Sequence, residues 1–169
     1  LRRKQKGEAG MSVRSTVKAI ILDHGKVLLN RCYDEPNGSY YSLPGGGQGQ
    51  YETLFEAIVR ECLEETGYTV EPLRFVALME EICTSAFIRE TYPEYAHKML
   101  HLFVCRLASR TVLPPTEQDS SQIACEWVDI GDVTNINLLP KAVKAHFSEL
   151  LENEQAVFLG SEHIPVNHG

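Results

Sequence analysis

The chain has 169 residues, 43% of them apolar, with a net charge of −7 and a pI near 5.4. That apolar content is enough for one domain with a buried core, and the acidic balance argues against a general nucleic-acid or membrane binder. No apolar run is long enough to span a bilayer, and no apolar signal-peptide core is visible.

In chain order, the first ten residues stand apart: Arg2, Arg3, Lys4 and Lys6 against Glu8 give +3, leaving −10 for the remainder. Met11 follows, so residues 1–10 read as a basic N-terminal extension or a cloning remnant before a single domain over 11–169. The competing reading is a basic arm for nucleic acid or anionic lipid. Val13 to Leu22, rich in β-branched residues, predicts a strand, Asp23-His24-Gly25 a turn, and Lys26 to Arg31 the second strand of a hairpin. Residues 34–39 form a loop, and Tyr40 to Leu43 leads into Pro44-Gly45-Gly46-Gly47. Such a glycine run lets backbone approach a ligand closely.

Thr53 to Thr66 contains no Pro or Gly, and Gly67 sits where a C′ glycine belongs, so this segment predicts a helix. Beyond it come strand candidates at Thr69 to Glu71 and Arg74 to Cys83. Thr84 to His97 is polar and aromatic without clear period and reads as a long loop. Lys98 to Leu107 and Ile123 to Ile130 predict strands on either side of a Pro-Thr-Ser-rich loop over 110–122. Pro140 to Glu152 predicts a second helix with Val143, Phe147, Leu150 and Leu151 as its apolar stripe, and Ala156 to Leu159 a short last strand. This order fits an α/β fold, an α/β/α sandwich with a mixed β-sheet between helices. Five widely spaced cysteines without a CxxC pair suit reduced thiols in a cytoplasmic protein better than a disulfide frame or zinc site. Six histidines without an HExxH pattern are expected to be structural or surface groups.

On a helical wheel of about 100° per residue, Leu54, Phe55, Ala57, Ile58, Val59 and Cys62 share one apolar arc. Glu61 and Glu65 fall inside that arc and Glu64 on its edge. Unpaired carboxylates leaving water cost several kcal/mol, so the cluster needs cations. Arg60 lies on another face, and the chain offers few alternatives. Three carboxylates on adjacent turns form a hard-oxygen site suited to Mg²⁺ or Mn²⁺; the plainer alternative is a solvated acidic face. Glu56, four residues before Arg60, reads as a surface ion pair with it. Arg31, ending the second strand, is a candidate phosphate contact by its fork geometry.

The same residues carry a family resemblance. Gly46, five residues, Glu52, seven residues, then Arg60-Glu61-Cys62-Leu63-Glu64-Glu65-Thr66-Gly67-Tyr68 resembles the Nudix box, G-x5-E-x7-R-E-U-x-E-E-x-G-U, where U is bulky and apolar. All seven fixed residue types match, with Cys62 and Tyr68 at the looser apolar positions. The resemblance implies a Nudix-type α/β/α sandwich and a pyrophosphohydrolase acting on a small-molecule nucleotide. It implies Glu61, Glu64, Glu65 and the Gly45 carbonyl as metal ligands, with Gly45 and Gly46 at the substrate. Glu52 would cap or orient the helix start, and Arg60 would orient a liganding carboxylate.

Many members place a further acid in the loop before the Trp-bearing strand. Here Ser121 and Gln122 stand where Glu is expected, so the general base is either a box glutamate, the favoured reading, or Glu117 or Asp119. Leu43-Pro44-Gly45-Gly46-Gly47 and Leu138-Leu139-Pro140 look similar to ADP-ribose pyrophosphatase-like members. The expected activity is cleavage of a nucleoside diphosphate linked to another moiety, of ADP-ribose or nucleotide-sugar type. The alternatives are a nucleoside triphosphate pyrophosphohydrolase, an RNA 5′-end pyrophosphohydrolase disfavoured by the −10 body, and a non-catalytic nucleotide sensor disfavoured by the complete set of box acids. Tyr33, Tyr40, Phe87, Tyr92 and Tyr95 are candidate base-stacking partners. A homodimer is left open.

Overall fold

The computed structural model describes residues 13–168, so the basic stretch 1–10 lies outside the described residues. Strand β1 (Arg14–Asp23) turns through His24 and Gly25, both at positive φ (46° and 75°), into β2 (Lys26–Asp34). Two such residues match the right-handed twist of a tight hairpin. After β3 (Gly38–Ser42) comes helix α1 (Leu54–Thr66). Next come β4 (Tyr68–Cys83), the short helix α2 (Ala86–Thr91), a 3₁₀ turn over Pro93–Tyr95 and β5 (His97–Val112). The chain finishes with β6 (Gln122–Asp129), β7 (Leu138–Leu139), α3 (Lys141–Ala145), α4 (Phe147–Glu152) and β8 (Val157–Ile164).

The eight strands form one mixed sheet in the order β7-β3-β2-β1-β5-β4-β8, with β6 paired to β2. On one face Ala57, Ile58 and Cys62 of α1 pack with Val17, Ala19, Ile21, Leu28 and Phe103. On the other, Val143, Phe147 and Leu150 of α3 and α4 pack with Ile20, Leu29, Leu100 and Leu102. Each such fully buried side chain contributes about 1.5–3 kcal/mol, and the two cores make the sandwich the sequence predicts. No helix among the described residues is long and apolar enough to cross a membrane. All five cysteines are free thiols.

Four segments differ from expectation. The two strand candidates after α1 are one long strand, because register shifts around Pro72 absorb a residue that cannot donate to a ladder. Thr84 to His97 holds α2 and the 3₁₀ turn, capped by the Ser85 hydroxyl. Neither buries a residue, so no apolar period marks them. The helix predicted over 140–152 breaks at His146 (φ −107°, ψ 11°), while Val143, Phe147 and Leu150 all stay buried. The last strand runs to Ile164, parallel to β4.

One feature of the sheet makes room for a site. Strand β1 pairs with β2 only from Ile21 to Asp23, after which β2 continues along β3. The earlier part of β1 is paired instead by the segment after β3, through Ala19 N–H to Pro44 O (2.8 Å), Val17 N–H to Gly46 O (2.9 Å) and Gln48 N–H to Ser15 O (3.0 Å).

Candidate active site

The glycine turn is squeezed between β1 and α1. Gly45 has φ 131°, and a Cβ there would strike the Val17 carbonyl. A Cβ on Gly46 would strike the Glu61 carboxylate. At Gly45 only a residue without a side chain fits, whereas at Gly46 a side chain would displace the Glu61 carboxylate. Helix α1 starts at Thr53, whose hydroxyl accepts from Glu56 N–H (3.2 Å) while the Glu56 carboxylate accepts from Thr53 N–H (2.8 Å). This reciprocal capping box satisfies two otherwise orphaned donors. Glu56 therefore caps the helix and does not pair with Arg60, correcting the surface-pair expectation.

Arg60 reaches much further than its wheel position suggests. Its Nε donates to Glu52 Oε1 (2.8 Å) and its Nη2 to Glu52 Oε2 (2.9 Å) and to the Gly47 carbonyl (3.0 Å). Its Nη1 donates to Glu61 Oε1 (2.7 Å) and Glu64 Oε2 (3.0 Å). These bonds to Arg60, with the Gly49 N–H, hold the Glu52 carboxyl down at about 2. Glu52, first of all, also raises the Arg60 pKa above its ordinary value. Glu52, expected to cap or orient the helix start, is not the cap, which is Thr53; its carboxylate pairs with Arg60.

Glu65 is 9% exposed, and its Oε2 accepts from the Gly45 N–H (2.9 Å) and from Asn30 Nδ2 (2.9 Å). Lys18, 8% exposed in the middle of β1, donates to Gly45 O (2.8 Å) and Leu43 O (3.2 Å). Burial pushes the Glu65 carboxyl up, against the opposing pull of the Lys18 charge, the Gly45 N–H and Asn30. The cluster thus has two protein cations, Arg60 and Lys18, where the wheel offered none. As they stand the carboxylates surround these cations, and among the described residues no three acidic, histidine or cysteine groups converge at a common point.

Glu61, Glu64 and Glu65 line a cavity of about 790 Å³ together with Gly45, Gly46, Arg14, Lys18 and Lys98. The loop 117–121 and the C-terminal residues 166–168 close its sides, so Glu117 and Asp119 both border it. Tyr40 and Tyr95 line the cavity; Tyr33, Phe87 and Tyr92 do not. Arg31 does not either. Side chains alternate along β2, so Arg31 points away from the face on which Asn30 meets Glu65, and it pairs with Glu126 at 3.0 Å. The phosphate contact expected of Arg31 is corrected accordingly. No cysteine lines the cavity, and burial pushes the Cys105 thiol up to about 12 and the Cys125 thiol to about 11.

A family model described as NUDIX domain matches residues 12–151. The chain belongs to the Nudix family. It is 28% identical over 119 residues to a phosphatase named NudJ from Escherichia coli, covering 70% of this chain and 69% of that protein. The chain spans only 30% and 21% of the length of two longer relatives it matches. A Nudix hydrolase structure from Nitrosomonas europaea superposes with a TM-score of 0.67 at 18% identity, over 86% of this chain and 93% of that one. An ADP-ribose pyrophosphatase from Streptococcus suis gives 0.59 at 21% identity, over 89% and 100%. Identities this low show a shared Nudix fold.

Three residues at the Nudix box escaped the sequence reading: Lys18, Asn30 and Arg14. The signal for the first two was present. Lys18 is a lone charge inside Val17-Lys18-Ala19-Ile20-Ile21, and Asn30 follows Leu28-Leu29 in a buried strand. A polar group inside such a run is either partnered or very costly.

Proposed function

We propose that this Nudix chain hydrolyses the pyrophosphate of a nucleoside diphosphate linked to another moiety, of ADP-ribose or nucleotide-sugar type, with Mg²⁺, or Mn²⁺ in its place. One observation carries the reading. Glu61, Glu64 and Glu65 line a cavity that also presents Arg14, Lys18 and Lys98, which suits a polyanion bound through cations.

The donor set fits a hard divalent ion by its chemistry: three carboxylates and the Gly45 carbonyl, all oxygen. Glu61, Glu64, Glu65 and Gly45 would hold the metal, which supplies charge neutralisation and an activated water when bound. The chain's own residues do the rest. Asn30 and the Gly45 N–H fix the Glu65 carboxylate, and Arg60, itself anchored by Glu52, orients Glu61 and Glu64. Arg60 already pairs with Glu61 and Glu64, so a metal at these two acids would compete with Arg60. A box glutamate takes the proton from water; Asp119 is instead engaged with the Ser120 and Ser121 hydroxyls at 3.3 and 3.5 Å.

The test is a panel of ADP-ribose, nucleotide sugars and nucleoside triphosphates assayed with Mg²⁺, with Mn²⁺ and in excess EDTA. Turnover of the diphosphate-linked substrates, abolished by chelator, is expected. Turnover that persists in EDTA overturns the metal assignment, and preference for triphosphates overturns the substrate class.

A further inference from the structure

Of the four lysine and arginine side chains lining the cavity, three are already engaged, Arg60 by Glu52, Glu61 and Glu64. Lys18 is bound to the Leu43 and Gly45 carbonyls, and Lys98 to Glu81 (3.0 Å) and the His168 carbonyl (3.4 Å). Arg14 differs. It opens β1 and shares a face with Thr16 and Lys18, which also line the cavity. Its guanidinium carbon sits 4.7 Å from the centre of the Tyr95 ring. On its other flank is Gly47, where an added Cβ would collide with the same guanidinium. Among the described residues, the Arg14 guanidinium has no hydrogen bond or ion pair, and the nearby acids are taken: Glu61 and Glu64 by Arg60, Glu65 by Asn30 and the Gly45 N–H.

A guanidinium fixed by a ring and a backbone, with its donors unspent beside a metal-type carboxylate cluster, is prepared for an acceptor from outside. Its planar fork matches two phosphate oxygens, and the ordering cost is met before binding. We propose that Arg14 is a phosphate-binding residue for the diphosphate substrate, and that Tyr95 and Gly47 are positioning residues that hold its guanidinium. Tyr95 then serves the site through Arg14, not as a base-stacking platform. The inference rests on the pyrophosphohydrolase reading of the cavity.

The test compares wild type with R14Q, R14K and G47A by steady-state kinetics on ADP-ribose, and by calorimetry with its hydrolysis-resistant methylene analogue in the absence of divalent ions. R14Q is expected to raise KM about ten- to hundred-fold, the worth of a charge-assisted paired contact, with kcat within about threefold. R14K should recover part of that loss. G47A keeps every charge and only displaces a flexible side-chain end, yet should raise KM about fivefold or more. An unchanged KM in R14Q beside an active wild type overturns the proposal and leaves the hydrolase reading standing. If wild type turns over nothing in the panel, the hydrolase reading fails, and calorimetry still decides on Arg14. Analogue binding at least tenfold weaker in R14Q supports the contact, while equal binding, or none by wild type, overturns it. Should R14Q fail to fold, R14K and G47A decide: wild-type KM in both overturns the contact.

Discussion

Glu52→Gln separates the two things Glu52 could do at the start of α1. The carboxylate makes two parallel bonds to Arg60 and accepts the Gly49 N–H, which holds its pKa near 2 against an ordinary 4.5. At about 1.4 kcal/mol per unit, that depression sets a ceiling of roughly 3 kcal/mol. The Arg60 side chain is 36% exposed, so water screens the pair and about 1–2 kcal/mol is the realistic loss. In a domain of this size that lowers Tm by about 2–8 °C. Because the folded-state pKa lies below the unfolded one, the contribution is complete above about pH 4.5 and disappears as pH falls towards 2. Urea unfolding followed by the single tryptophan, Trp127, should therefore show a gap between wild type and variant at pH 7 that narrows by pH 3. The variant should also lose at least about tenfold in kcat, since Arg60 would be free to shift against Glu61 and Glu64. A stability gap that does not narrow on acidification refutes the ion-pair account. A normal kcat beside a lowered Tm refutes the orienting role.

The box acids themselves divide cleanly. Glu64→Gln and Glu65→Gln should each cut kcat by orders of magnitude with circular dichroism unchanged, because a metal-bridging carboxylate acts on charge developing in the transition state. Glu56→Gln should stay close to wild type, since glutamine can complete the same capping box; equal losses at Glu56 and Glu64 would place the site on the wrong face. Glu117→Gln and Asp119→Asn should remain within a few-fold if the box supplies the base, whereas a loss of about 10²–10⁴ at either would assign the base to the loop.

How much of this was legible in the sequence depends on how local the cause is. Helix α1 was readable because its start, apolar arc and stop are all written within fifteen or so residues. The glycine turn was readable for the same reason. The compensating cations were less so: the resemblance implied that Arg60 orients a liganding carboxylate, but Lys18 went unnoticed. Arg60 sits off the apolar arc, and only the path of a long side chain around Glu61 and Glu64 brings it in. Lys18 and Asn30 come from strands that meet Glu65 through the split between β1 and β2, a tertiary event no wheel contains. Helix α2 buries nothing, β7 has two residues, and the break at His146 keeps the apolar stripe intact, so none of the three leaves a periodic trace.

The same split brings partner groups to the acidic cluster. Before Ile21, β1 is paired with the glycine turn and not with β2. Opening the sheet instead lets Gly45 bring one backbone donor and Asn30 one amide to a single oxygen of Glu65. Lys18 reaches the Gly45 carbonyl from the other side. Two protein cations, Arg60 and Lys18, then offset part of the charge of Glu52, Glu61, Glu64 and Glu65. On the proposed function, an incoming divalent ion and phosphate would exchange with contacts that Arg60 and Lys18 already make, instead of entering bare negative charge. Glu52 and the Gly47 carbonyl give Arg60 somewhere to remain when it releases Glu61 and Glu64. On this account Glu52, which borders the cluster without joining it, is what allows the acids to be released without unfolding the helix start.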